Sequence, residues 1–292
     1  EPCPIFLSPI RFSKSAARER LSFMDAVFFS AWLTGLECWK DIRAALEQFH
    51  VPYGLLSDTR DYWVRDFMPV QLSPDVYLQY VYIPDYLRDS AVYRTDGAVC
   101  FEKLKLSDVR VTKTDVVLDG GNVIKCGDSV IMTDKIFYEN RNYDKVALMN
   151  ELERCFGAEL VVIPWDHHER YGHADGMVRY LGDGRVLLTN YGDFDPGFAE
   201  KLLKVLSRRY EVTELCYPVG KPSPYNWAYI NYLQVGEVIL LPRLDMKEDG
   251  MAYERFRALF PQASIGQVGV KSLVRRGGAL NCVSWNICNQ LN

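Results

Sequence analysis

A chain of 292 residues, 48% hydrophobic and 25% charged, has the composition of an ordinary globular protein and is long enough to bury a large core. Its formal net charge of −4 argues against a nucleic-acid-binding face and is compatible with a small cationic ligand. The longest apolar stretch, Ala26–Gly35, falls far short of the roughly 20 residues that span a bilayer, so no membrane partner is expected.

The eight cysteines are scattered and include no Cys-x-x-Cys pair. With no signal-peptide pattern visible, this predicts a reduced, cytoplasmic enzyme. The chain begins at Glu1 without Met, so its natural N-terminus is expected to be missing, and residues 1–25 are read as an extension of uncertain structure.

In chain order, β-branched and aromatic runs predict strands, and 3.6-residue periodicity predicts helices. A strand at Ala26–Thr34, a helix at Glu37–Phe49 and a strand at Pro52–Ser57 come first. Phe67–Leu72 and Val76–Ile83 read as a strand pair, with no clear helix and a last strand near Val109–Val111. Val116–Lys125 reads as a strand broken by Gly-Gly, and Ser129–Thr133 as its partner. Tyr143–Phe156 reads as an amphipathic helix with Val146, Leu148, Leu152 and Cys155 as its apolar residues, and Glu159–Pro164 closes the unit. The order recurs in Ala174–Leu181, Arg185–Asn190, Pro196–Arg209 and Glu211–Tyr217, with Gly182-Asp183-Gly184 as a hairpin turn. It recurs again in Tyr229–Val235, Val238–Pro242, a helix near Gly250–Phe260 and Ala263–Val268, before a last strand at Ala279–Ile287.

A strand–strand–helix–strand unit repeating about every 50 residues signals a propeller-like array. Neither end holds a complete unit, but the C-terminal strand and the N-terminal strand, helix and strand make one together. This predicts an α/β fold of five ββαβ blades around a pseudo-fivefold axis, in a single catalytic domain spanning 1–292. Joining the two half-units closes the ring without free sheet edges. An open α/β sheet explains the alternation of elements but not the half-units.

The unusual polar residues share one phase of the repeat, where each first strand begins: Asp66, Asp119, His173, Tyr229 and Cys282. In a closed ring, equal phase brings them to the same end, near the axis. A guanidinium presents forked N–H donors to carboxylates, and Asp66 and Asp175 are the candidate clamp. Its central carbon is a poor electrophile, which calls for a strong nucleophile. A Cys282 thiolate suits, with the bound cation helping to lower its pKa. His173 can protonate departing ammonia and then activate water, and Asp119 can orient the imidazole. On this reading iodoacetamide should reach Cys282 before the other thiols. Trp63 can stack on the guanidinium or simply pack, and Asn231 is a lining candidate. His167, His168 and His173 fit no standard zinc spacing, so no metal is expected.

The Trp-x-Arg-Asp stretch Trp63–Asp66, Asp119-Gly120-Gly121-Asn122, Gly172-His173-Ala174-Asp175 and the Gly-Gly-x-x-x-Cys ending at Cys282 resemble the guanidino-group modifying (pentein) superfamily. The similar branch is that of agmatine deiminases and bacterial-type peptidylarginine deiminases, and the resemblance runs from about Trp63 to Cys288. It implies hydrolysis of a guanidino group to a ureido group and ammonia through a covalent thiouronium, without cofactor. It also implies Cys282 as nucleophile, His173 as acid and base, Asp66 and Asp175 as clamp, and Asp119 where relatives commonly carry Glu. Asn281 departs from the His that relatives often carry. Agmatine, giving N-carbamoylputrescine on the way to putrescine, is the favoured substrate. Peptidyl or free arginine, amidino transfer, and a catalytically silent guanidino-binding protein are the alternatives.

Overall fold

The computed structural model describes residues 25–219 and 223–288. The extension expected at 1–25 therefore lies outside the described residues, apart from Asp25.

Fifteen strands form five three-stranded sheets among the described residues. One sheet joins β15 (Trp285–Ile287), β1 (Ala26–Ser30) and β2 (Tyr53–Leu56). The others are β3 (Val70–Ser73), β4 (Val76–Val81) and β5 (Arg110–Val117); β6 (Ile124–Cys126), β7 (Ser129–Thr133) and β8 (Glu159–Ile163); β9 (Val178–Gly182), β10 (Arg185–Leu188) and β11 (Glu211–Glu214); and β12 (Leu233–Val235), β13 (Val238–Arg243) and β14 (Ser264–Gly269). In every sheet the middle strand pairs antiparallel with the first strand and parallel with the third. A parallel pair needs a crossover, and a helix supplies each one. These are α1 (Cys38–Gln48), α2 (Gly97–Leu104), α3 (Lys145–Phe156), α4 (Pro196–Leu206) and α5 (Glu248–Leu259). The fold is the five-bladed α/β propeller, with one blade completed by the two ends of the chain.

Local chemistry explains the helices. Asp144 caps α3 by accepting from the N–H groups of Val146 and Ala147 at 2.9 and 3.1 Å, a contact whose loss typically costs ~1 kcal/mol. The helix buries Leu148 and Leu152, one turn apart, whereas Val146 is exposed, contrary to the expected face. Asp96 caps α2, the crossover that periodicity left unclear. The strand after it is longer than Val109–Val111. Its outward residues are mostly charged or polar, and only Thr114 and Val116 are buried along it, which hides its alternation.

Several predicted strands begin too early. Residues Asp119, His173 and Cys282 lie in turns that precede the first strands, not inside them. Gly120–Asn122, Ala174–Gly176 and Asn226–Tyr229 are 3₁₀ turns, and Val64–Phe67 is a single helical turn. These turns form a closed circuit. Val64–Phe67 packs on Gly120–Asn122, which packs on Ala174–Gly176. Asn231 Nδ2 donates to the Asp175 carbonyl at 3.3 Å, and Asn281 N–H donates to the Asn231 carbonyl at 3.1 Å. Arg65 N–H then donates to the Cys282 carbonyl at 3.1 Å.

Packing seals the terminal blade in the same way. Trp285 lies beside Phe28, Tyr77 and Phe101, with ring centroids 5.7, 6.0 and 5.9 Å away. Its indole N–H donates to the Pro69 carbonyl at 2.8 Å. Burying an aromatic of this size contributes roughly 1.5–3 kcal/mol, so one residue fastens the C-terminal strand to two blades.

Candidate active site

Asp119 ends the approach to the Gly120–Asn122 turn, and His173 stands just before the Ala174–Gly176 turn of the next blade. Their side chains meet, with His173 Nε2 and Asp119 Oδ2 2.8 Å apart. The other ring nitrogen, Nδ1, lies 3.5 Å from Asp66 Oδ1. Asp66 Oδ1 also accepts the Gly121 N–H at 3.2 Å. Glycine at 121 is required here: a Cβ would stand 2.6 Å from both Asp66 Oδ1 and His173 Nδ1.

Cys282 lies on the final turn, 8% exposed. Its Sγ is 3.6 Å from Asp175 Oδ2 and 3.3 Å from Asn231 Oδ1. Asn231 Oδ1 accepts the N–H groups of Asn281 and Cys282, and Asn281 Nδ2 donates to Asp175 Oδ2 at 2.6 Å. Two buried asparagines therefore fix both the thiol and the carboxylate beside it.

His173, Asp175, Asn231 and Cys282 wall one cavity of about 540 Å³, together with Tyr171, Met177, Tyr191, Phe194, Tyr225, Trp227 and others. Arg170 and Arg275 also line it, as do Asp166, His168 and Glu169. Asp66 and Asp119 do not reach the cavity wall; they are buried on either side of the imidazole. Trp63 is not a wall either. Its ring packs on Gly278, where a Cβ would stand 2.2 Å from it, and beside Tyr62 at 4.7 Å. The packing reading of Trp63 is the one the structure supports. His167 is exposed and packs beside Trp165.

Equal phase did not place every residue. Tyr229 is fully buried, donates its hydroxyl to Asp249 Oδ1 at 2.7 Å and packs beside Tyr217. Asn231, two residues on, faces the thiol instead. The Asn226–Tyr229 turn rotates the chain, so the register shifts by two.

Burial, then the carboxylates of Asp175 and Asp66, push the Cys282 thiol well above its ordinary range. The thiol is sheltered, whereas Cys216 is exposed. Burial works against a charged imidazole at His173, yet the Asp66 charge and the hydrogen bond that the ring donates to Asp119 outweigh it and raise His173 to about 10. Burial raises Asp66, with His173 offsetting part of the effect.

Residue-type reasoning missed Lys135, which is fully buried beneath Asp119, with Nζ 3.6 Å from Asp119 Oδ2. Nothing at the repeat phase marks it, because it opens the short helix Lys135–Glu139 after β7. Asn281 stood out in the sequence only as a departure from relatives, and it holds Asp175.

A family model described as Porphyromonas-type peptidyl-arginine deiminase matches residues 34–287. The agmatine deiminase of Stutzerimonas stutzeri is 23% identical over 296 residues, covering 82% of this chain and 80% of that one. A relative from Mycoplasma capricolum is 24% identical over 226 residues, or 65% of this chain, and the chain spans 62% of that relative's length. A cysteine-to-serine variant of the C. jejuni agmatine deiminase, solved with substrate bound, superposes with a TM-score of 0.69 at 17% identity, covering 90% of this chain and 93% of that one.

Proposed function

The chain belongs to the Porphyromonas-type peptidyl-arginine deiminase family, and from that premise we propose that it hydrolyses a guanidino group to a ureido group and ammonia, with agmatine the favoured substrate. The observation that carries this reading is a thiol 3.6 Å from a carboxylate in one cavity, with an imidazole on the same wall that is backed by a buried carboxylate. We further propose that the closed ring acts as one catalytic domain in the cytoplasm. The seven described cysteines are all free thiols, in keeping with a reduced compartment. With agmatine as substrate, the product is N-carbamoylputrescine and the role is putrescine formation.

The guanidinium enters the cavity beside Asp175, with the Asp66 carboxylate buried behind His173, and adds a positive charge beside Cys282. That charge offsets the two carboxylates that raise the thiol, so the thiol releases its proton to solvent once substrate is in place. The thiolate adds to the guanidinium carbon. His173, protonated, gives its proton to the departing nitrogen, the C–N bond breaks, and ammonia leaves a thiouronium on Cys282. Neutral His173 then takes a proton from water, the oxygen adds to the same carbon, and the C–S bond breaks. The remaining hydroxyl proton passes to sulfur, the neutral ureido product departs and the Cys282 thiol is restored. Asp119 orients the imidazole through both half-reactions. Asn231 and Asn281 hold Cys282 and Asp175 in place.

A second reading rests on Arg170 and Arg275, which line the cavity and could receive a substrate carboxylate. This would favour free or peptidyl arginine. Ammonia release from agmatine, free arginine and an arginyl peptide, with Cys282→Ala as control, separates the readings. Agmatine should turn over fastest. Turnover of no guanidino compound would remove the enzyme reading and leave a guanidino-binding protein.

A further inference from the structure

Lys135 has no exposed surface, and a fully buried lysine is rare unless it is paired. Its ammonium lies 3.1 Å from Asp85 Oδ1, 3.3 Å from Glu139 Oε1 and 3.6 Å from Asp119 Oδ2. It donates to the Tyr171 carbonyl and stands 4.8 Å above the Tyr86 ring. Tyr86 and Tyr171 are themselves the aromatic neighbours of His173, each with its centroid 6.0 Å from the imidazole. One cation therefore ties together the turn carrying Asp85 and Tyr86, the loop carrying Tyr171, and the carboxylate that holds His173.

The detail that matters is at Asp119. Lys135 and His173 both approach its Oδ2, and its Oδ1 has no hydrogen-bond partner among the described groups. The carboxylate is held by two cations on a single oxygen. If Lys135 were absent, the carboxylate could rotate about its bond, and His173 would be the sole cation pairing with it.

We propose that Lys135 is a positioning residue for the proposed reaction: its buried ammonium locks Asp119 onto the His173 ring and limits how tightly the imidazole holds its proton. The inference rests on the deiminase reading for its catalytic consequence, though not for its electrostatics. The groups facing His173 are Asp66, Asp119, Tyr86, Tyr171 and, through Asp119, Lys135 with Asp85 and Glu139. The carboxylates favour the imidazolium, and Lys135 is the cation that opposes it. An imidazolium that holds its proton too firmly is a poor acid for the departing nitrogen, which slows both ammonia release and formation of the neutral base for water.

The test is an NMR titration of the imidazole signals in the substrate-free protein, which has only four histidines. Lys135→Met should raise the His173 midpoint by about one pH unit. It should also lower kcat about tenfold while leaving KM within about twofold. Lys135→Arg, which keeps the charge, should restore most of both. Because Lys135→Met strands buried carboxylates, Lys135→Met with Glu139→Gln serves as the second variant, removing an acid along with the cation. A His173 midpoint unmoved in a folded Met variant would overturn the proposal. So would failure of both variants to fold, which would assign Lys135 to structural support alone. Because the midpoint is read without turnover, a shifted His173 in a protein inactive on every guanidino compound would sink the deiminase reading and leave this inference standing.

Discussion

His173 Nε2 lies 2.8 Å from Asp119 Oδ2, so an aspartate reaches the imidazole directly from the preceding blade. The reach comes from the backbone. Gly121 lets the Gly120–Asn122 turn approach so closely that the place of its missing Cβ is 2.6 Å from the imidazole Nδ1.

Asp119→Asn removes the charge while keeping the shape. The midpoint of His173, now raised to about 10, should fall toward its ordinary range, and ammonia release should drop about 10²–10⁴-fold. NMR titration and steady-state kinetics on the same preparation would check both. Asp119→Glu should not be a silent exchange, because the 2.8 Å gap has no room for another methylene. About a tenfold loss is expected.

Gly121→Ala tests the close approach. The added Cβ would press on Asp66 Oδ1 and His173 Nδ1 together, neither of which can withdraw from its buried setting. Stability should fall by about 1–3 kcal/mol, as for other overpacked sites, with turnover lost by more than this alone would cause. Urea melts beside kcat/KM would separate the two effects.

Thiol reactivity should depend on the charge of the reagent. Among the described thiols, neutral iodoacetamide should alkylate exposed Cys216 before Cys282, whose thiol burial, Asp175 and Asp66 all push up. A cationic alkylating amidine should reverse that order by offsetting the two carboxylates. Peptide mapping by mass spectrometry reads the order directly. Identical site order with both reagents would contradict activation by a bound cation.

Stability should decline as pH rises. Burial and Asp119 raise Glu139 to about 8 from its ordinary value near 4.5. Between those two values the folded state holds a proton that the unfolded chain has released, so stability falls as pH rises through that window. His173, raised to about 10, adds the same sign: its contribution is complete below about pH 6.5 and is lost as pH rises toward 10. Glu139→Gln removes the first contribution. Its melting temperature relative to the native chain should be higher by about 2 °C or more at pH 8 than at pH 5.

Much of the architecture was legible because the physics is local and repeated. Each blade alternates strand pairs with an amphipathic crossover helix, and the ends supply complementary halves of one blade. Errors fell where local signals give out. The predicted strand at Ala279–Ile287 is a strand only over Trp285–Ile287, because the preceding residues turn to present Cys282. Val116 and Val117 end β5 rather than opening the next blade. Trp63, a stacking candidate by residue type, is absorbed by packing on Gly278.

The sequence by itself determined the repeat, its phase, and so the company that Cys282, His173, Asp119, Asp66 and Asp175 keep, since equal spacing in a closed ring forces convergence. Only the tertiary structure decided which atoms meet. It turned Tyr229 into the core and Asn231 toward the thiol, put Asp66 and Asp119 on opposite nitrogens of one ring, and buried Lys135 beside Asp119. The reason is physical: periodicity sets where a turn falls along the chain, but the direction of each side chain within that turn depends on neighbours from other blades, brought close by burial and paired charge.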